Sequence, residues 1–273
     1  MTSPTPWPRV APDRYLTPPR LVACDIDGTL LNTGSPATAT VRAAVEDVCA
    51  AGHHIVLATG RSLAGALPVA AELGLIDVWI VASNGAVTAH VKGNQYELTD
   101  LHVVEAEPIV RVVVDAMPGI RVAAEVVGVG YRVNIPFPFG ELNGLQLSVD
   151  ALEELWGHRT PRLALHGPAA FGLLPVLREM SLTAIATRSD WVDVTPPGLS
   201  KATALEKVRT ELGVEDYATV AIGDGENDIE MFSWAGRSIA MGHAPGHVRG
   251  AADYSTGTIH DDGAATALRS LLG

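Results

Sequence analysis

Short uninterrupted apolar runs recur along the chain from Arg20 onward, and each is followed by a stretch of helical periodicity. "LVAC" (21–24) reads as a strand. "SPATATVRAAVEDVCAAG" then offers Ser35 as N-cap, Pro36 in the first turn and Gly52 as C-cap. Val41, Val45 and Val48 fall on one face of that helix. "HIVLAT" and "VWIVAS" are second and third strands, separated by a helix over about 62–73 that stops at Gly74. Strands that do not alternate need cover on both faces, which predicts a parallel sheet with helices on each side.

The rhythm changes between about residues 86 and 190. "VTAHVKGNQYEL" alternates and turns at Lys92-Gly93-Asn94, a hairpin signal. Helical patterns near 106–116, 150–156 and 169–180 are interspersed with "IRVAAEV", "GYRVN", "RLALHG" and "TAIATRS", which read as a largely antiparallel sheet. After "WVDVTPPGLSK" the first rhythm returns: a helix at 200–212, "ATVAIG", a helix from Asn227, "SIAM" and a last helix at 263–272. The expectation is an α/β fold: a doubly wound, Rossmann-like parallel-sheet core with an inserted α+β cap domain. A Pro-rich arm would occupy 1–19, the core 20–86 and 191–273, and the insertion 87–190.

In open parallel sheets ligands bind beyond the carboxyl ends of the strands. The first strand there gives Asp25 and Asp27, the second Thr59-Gly60-Arg61, and the third Ser83-Asn84-Gly85. The strand after the insertion gives Gly223-Asp224-Gly225-Glu226-Asn227-Asp228, and the helix before it opens on Ser200-Lys201. These types suit phosphoryl transfer. A carboxylate can attack phosphorus, and a hard cation on oxygen ligands relieves the repulsion between the two anions. Donors such as Thr59, Lys201 and backbone N–H groups near Gly28 can hold the phosphoryl oxygens, while a second acid beside the nucleophile handles protons. Lys201 is one of only three lysines among 19 basic residues, which argues against a filler role.

Composition narrows the partners. The net charge is −12 and no Lys/Arg-rich run occurs, so nucleic acid and anionic membrane surfaces are not expected. No run of 18 apolar residues is present, and the first nineteen residues, six of them proline, lack the apolar core of a signal peptide. A cytoplasmic protein is the expectation. Cys24 and Cys49 read as reduced core thiols. Oligomeric state has no signature here.

"DIDGTLL", "LATGR", "SNGA", "GLSKATAL" and "IGDGENDIEMF", in this order, resemble the haloacid dehalogenase superfamily, and within it the Cof-type phosphatases with an α/β cap. The resemblance implies Asp25 as nucleophile and Asp27 as acid/base. It implies Mg²⁺ held by Asp25, the Asp27 carbonyl and Asp224, with Asp228 behind them. Thr59, Gly60, Arg61, Asn84, Lys201 and Asn227 would then bind phosphate or substrate. Where family members carry Asn, this chain has His243 and Ile259, so the parts played by His243 and by nearby His260 stay open. Tyr131, Arg132 and Arg188 are candidate cap contacts to the alcohol half. The expected function is Mg²⁺-dependent hydrolysis of a small phosphomonoester, a sugar phosphate being one candidate, through an aspartyl-phosphate. A phosphomutase and a non-catalytic phospholigand-binding regulator are the alternatives.

Overall fold

The computed structural model describes residues 18–32 and 34–272. Of the expected N-terminal arm only Pro18 and Pro19 fall within that range; the rest lies outside the described residues. Two sheets organise the chain. The first is built from β1 (Leu21–Cys24), β2 (His54–Ala58), β3 (Asp77–Ala82), β4 (Val87–Lys92), β5 (Gln95–Leu101), β12 (Thr219–Gly223), β13 (Arg237–Ala240) and β14 (Tyr254–Ser255). The second contains β6 (Arg121–Val126), β7 (Gly130–Val133), β8 (Leu145–Ser148), β9 (Leu163–His166), β10 (Thr183–Arg188) and β11 (Trp191–Thr195). Among the described residues eight helices pack around them: α1 (Ala39–Ala50), α2 (Leu63–Glu72), α3 (Ala106–Ala116), α4 (Leu174–Glu179), α5 (Lys201–Leu212), α6 (Ile229–Trp234), α7 (Gly246–Arg249) and α8 (Gly263–Arg269).

The first sheet runs β14-β13-β12-β1-β2-β3-β4-β5 and is parallel from β14 to β3. Its central strand β1 is wholly buried, because each face is covered by its own apolar cluster. Val22 and Cys24 meet Val41, Val45 and Val48 of α1 with Leu268 of α8; on the other face Leu21 and Ala23 meet Leu205 and Val208 of α5. Burying each such side chain is worth about 1.5–3 kcal/mol. That two-sided cover explains why β1 is apolar at every position. Asp25 is therefore delivered at the strand's carboxyl end, beside β12 through its N–H bond to Ile222 (2.9 Å).

Four expectations need correction. The hairpin 87–101, expected in the inserted module, extends the first sheet: β4 pairs antiparallel with β3, and β5 forms the edge. Its alternation marks a hairpin but carries nothing about which sheet it joins. Conversely, Trp191–Thr195, expected to return to the first sheet, lies between β10 and β9 in the second. It is buried on both faces, Val192 and Val194 against the α3 side and Trp191 in a separate cluster with Tyr131 and Phe137. That is why it mimics a core parallel strand. The cap of α1 is Thr38, whose hydroxyl accepts the Val41 N–H (3.1 Å), rather than Ser35, and Cys49 on that helix is exposed. Smaller differences follow the same logic. The pattern at 150–156 forms only a 3₁₀ turn, Leu152–Leu155, and that at 169–180 a 3₁₀ turn followed by α4.

The loop after β3 locks onto α5. Gly85 has φ +97°, and a Cβ there would meet the Ser200 carbonyl carbon at 2.9 Å. Ser200 is the N-cap of α5, so Gly85 sets how closely the start of that helix approaches the sheet. Gly85→Ala is expected to lower stability by about 1–3 kcal/mol through forced left-handed backbone and displaced Ser200. Urea unfolding measures this; an unchanged midpoint would show that α5 recedes without cost.

Candidate active site

The carboxyl ends of β1, β2 and β12 converge on a cavity of about 660 Å³ between the two sheets, with the loop after β3 packed behind them. Its floor carries Asp25, Asp27, Thr59, Gly60, Arg61, Asp224, Gly225 and Asn227; its opposite wall includes Tyr131, Arg162, Trp191 and Asp193 from the second sheet.

Below the floor stands Lys201, fully buried at the first turn of α5. Its Nζ donates to Asp25 Oδ1 (2.6 Å) and to Asp228 Oδ1 (2.7 Å). Burial opposes its charge, but Asp228 and Asp25 outweigh that and hold the ammonium above its ordinary pKa. The Asp228 carboxylate is fully used: Oδ2 accepts the N–H groups of Asp224 and Gly225, each at 2.9 Å. Those bonds fold the loop after β12 so that Asp224 faces Asp25. Asp25 keeps Oδ2 free of hydrogen bonds among the described residues, and its carboxyl is pushed well above the usual range. Burial is the main cause; Lys201 pulls the other way, while Asp228 and Asp224 add to the rise.

Asp224 is held by Thr29, whose hydroxyl donates to Oδ1 (3.0 Å), and burial with the nearby Asp228 raises its pKa. Gly28 at φ +81° makes this approach possible, since a Cβ there would strike the Asp224 carboxylate. The Gly28 N–H itself donates to Leu31 O (2.9 Å). Asp25, Asp224 and Asp228 each offer an oxygen within 4.8 Å of the others. Three carboxylates against one ammonium leave surplus negative charge in a buried place. The donors are hard oxygens, which suits a hard divalent cation rather than a thiophilic metal. With both Asp228 oxygens engaged, Asp25 and Asp224 are the side chains with oxygen left for it.

Asp27 sits higher and is partly exposed. Arg61 grips it on both oxygens, Nε to Oδ2 at 2.6 Å and Nη2 to Oδ1 at 2.5 Å. Burial opposes the guanidinium's charge, yet Asp27 holds its pKa above the ordinary value. Thr59 lines the cavity and its Oγ1 accepts from the Arg61 N–H (3.0 Å). Asn84 lies deeper; its Oδ1 accepts from Asn227 Nδ2 (2.9 Å), and it has φ 53° beside Ser83 at φ 50°. Two adjacent left-handed non-glycine residues are strain kept at a binding edge.

The three cap candidates part ways. Tyr131 lines the cavity, where its hydroxyl accepts from Arg162 Nη2. Arg132 turns aside and donates to Glu154 O (2.9 Å). Arg188 ends β10, and its side chain lies outside the described residues. His243 points Nε2 at Asp224 Oδ2 from 3.7 Å while Nδ1 accepts the Ile259 N–H (3.2 Å); His260 is exposed. Arg162, Trp191 and Asp193 escaped the sequence reading. A charged residue in the middle of "WVDVT" was the available signal, masked because that strand was assigned to the other sheet.

A buried acid at the end of a central parallel strand, with a lysine beneath it and a partly open cavity above, suits a hydrolase of the phosphatase class. The chain belongs to the haloacid dehalogenase-like hydrolases, whose family model matches residues 22–127 and 175–268. It is 30% identical to a phosphoglycolate phosphatase of Halobacterium salinarum, covering 90% of this chain and 95% of that one. It is 28% identical to the 5-amino-6-(5-phospho-D-ribitylamino)uracil phosphatase YcsE of Bacillus subtilis, covering 92% and 94%. Among solved structures, phosphatase BT1666 of Bacteroides thetaiotaomicron superposes with a TM-score of 0.80 at 26% identity, covering 97% of this chain and 98% of that one. The HAD subclass IIB sugar phosphatase BT4131 superposes with a TM-score of 0.78 at 25% identity, covering 92% and 98%.

Lys201→Met would strand two buried carboxylates. It is expected to cost about 3–5 kcal/mol of stability, as breaking a buried ion pair does. Chemical unfolding in EDTA measures it; a loss under 1 kcal/mol would contradict the ionised Asp25–Lys201–Asp228 arrangement.

Proposed function

We propose that this chain is a Mg²⁺-dependent phosphatase that hydrolyses a small phosphomonoester, a sugar phosphate, through a phosphoryl group carried on Asp25. The observation that carries the reading is the state of Asp25: one oxygen fixed by buried Lys201, the other open to the cavity. A carboxylate so held is aimed as a nucleophile. Mg²⁺, held by Asp25, Asp224 and the Asp27 carbonyl, would supply positive charge that lets an anionic acid meet an anionic phosphate.

The chain's own groups do the rest. Asp25 Oδ2 attacks phosphorus, the ester oxygen leaves, and the displacement is split into two easier steps. Thr59 and Asn227 supply donors for the phosphoryl oxygens from the cavity floor. Lys201 keeps Asp25 oriented from beneath and offsets its charge. Asp27 gives a proton to the departing alkoxide and later takes one from the attacking water, with Arg61 fixing the carboxyl until one oxygen must release. The second-sheet wall supports an alcohol half rich in hydroxyls. Asp193 accepts from Arg162 Nη1 (3.3 Å) and Trp191 Nε1 (3.2 Å) on Oδ1, while Oδ2 takes no hydrogen bond among the described residues. That oxygen can accept from a sugar hydroxyl beside the Trp191 ring. No helix among the described residues is long and apolar enough to cross a membrane.

Phosphate release from p-nitrophenyl phosphate with Mg²⁺ and with EDTA tests the enzyme reading. Turnover should need the metal, and Asp25→Asn should lower it by ~10³-fold or more while the unfolding midpoint persists, because an amide does not attack phosphorus. Retention of a tenth of the activity would remove Asp25 as nucleophile.

Asp27 gives a second outcome. An alkoxide is a strong base, its conjugate acid near the ~15.7 of water, and its departure needs a proton; nitrophenolate leaves unaided. Asp27→Asn should slow sugar phosphate hydrolysis by ~10²–10⁴-fold yet leave a nitrophenol burst, since only breakdown of the phosphoenzyme then needs the missing base. Rapid quench reads the burst. Equal losses on both substrates with no burst would make Asp27 a structural residue.

A further inference from the structure

The second sheet grips the floor of the cavity through a buried charged cluster of which the chemistry above uses only Asp193. Arg162 on the loop before β9 is 4% exposed and Glu125 on β6 is fully buried. Arg162 Nε lies 3.4 Å from Glu125 Oε2, Nη1 reaches Asp193 Oδ1 at 3.3 Å, and Nη2 donates to the Tyr131 hydroxyl. Two bonds cross to the first sheet. Arg162 Nη1 donates to Gly60 O (2.5 Å), and Ser83 Oγ donates to Glu125 Oε2 (2.6 Å).

Both bonds land on loops that carry or brace the phosphate-binding groups, Asn84 acting through its bond to Asn227. Gly60 stands between Thr59 and Arg61; Ser83 precedes Asn84. The two loops are also tied to each other: Ser83 N–H donates to Arg61 O (2.7 Å) and Asn84 N–H to Thr59 O (3.1 Å). A shift at Gly60 or Ser83 therefore moves Thr59, the Arg61 clamp on Asp27, and Asn84 together. The cluster is a poor device for stability alone. Among the described residues Arg162 Nε is buried without a hydrogen-bond partner and Glu125 Oε1 without a well-formed one, and buried ion pairs are often no better than apolar packing. Burial dominates at Glu125 and raises its pKa, with Arg162 and Ser83 opposing.

We infer that Arg162 and Glu125 are positioning residues, which act through Gly60 and Ser83 so that seating of the second sheet sets the geometry of both phosphate loops. This rests on the phosphatase reading. Its consequence separates it from substrate contact: a residue that touches the alcohol half matters only for substrates that have one to touch, whereas these two matter for every ester.

The test compares kcat and KM for p-nitrophenyl phosphate and for glucose 6-phosphate or another sugar phosphate that the wild type turns over, all with Mg²⁺. Arg162→Met should lower kcat on the order of 10²-fold on both substrates, the scale of an ångström-sized misplacement, with KM for the aryl ester little changed. Arg162→Lys, which can still reach Gly60 O, should recover part of that loss. Ser83→Ala should lower kcat by roughly 3- to 10-fold on both, as expected for one hydrogen bond. Combined with Arg162→Met it should cost less than the product of the two, because both act on one pair of loops. Losses confined to the sugar phosphate would overturn the inference and make Arg162 a substrate contact. A lower unfolding temperature with unchanged kcat would overturn it in favour of a purely structural role. If Arg162→Met does not fold, Ser83→Ala and Arg162→Lys carry the same comparison. A wild type inert on the aryl ester would instead refute the phosphatase reading beneath it.

Discussion

The ion pair between buried Lys201 and the carboxylates of Asp25 and Asp228 is the constraint on which the site depends. An ammonium cannot be placed under a sheet without counter-charge, and two carboxylates cannot be brought there without an ammonium. The triad joins three distant parts of the chain: the end of β1, the start of α5 and the loop after β12. Each of the other features serves that meeting. Gly85 allows Ser200 to approach the sheet, Gly28 allows Asp224 to approach the first loop, and Asp228 folds the second loop with its remaining oxygen.

Above this floor the labour is divided between the sheets. The parallel sheet supplies the floor, with Asp25, Thr59 and Asp224 at its strand ends. The second sheet supplies the far wall, with Trp191, Tyr131 and Asp193, and holds the floor loops through Arg162 and Glu125. Relatives of similar identity carry names for quite different phosphate esters, phosphoglycolate and a ribitylaminouracil phosphate among them.

Legibility followed the same division. The floor was readable because parallel strands deliver whatever follows them to one edge, which covers Asp25, Asp27, Thr59, Arg61, Asn84, Asp224 and Asn227, while Lys201 stood out as a rare lysine opening a helix. The depth of Lys201 was not readable, since a first-turn lysine looks alike whether it faces a ligand or lies beneath an acid. The wall was legible only at Tyr131. "RLALHG" and "WVDVT" looked like ordinary buried strands, and pairing in an antiparallel sheet is set by contacts between distant segments, not by local pattern. The hairpin 87–101 and strand 191–195 changed sheets for that reason. Arg162 and Asp193 acquire meaning only once β9 and β11 lie side by side.

In the proposed mechanism the phosphoryl group passes through Asp25. Sodium borohydride reduces an acyl phosphate to an alcohol, so an aspartyl-phosphate trapped by acid quench during turnover becomes homoserine. Peptide mass spectrometry of the reduced protein should find homoserine at position 25 in the presence of substrate and Mg²⁺, and aspartate there when either is omitted. Phosphate release with aspartate intact at position 25 throughout, or homoserine at Asp27 or Asp224 instead, would contradict the account.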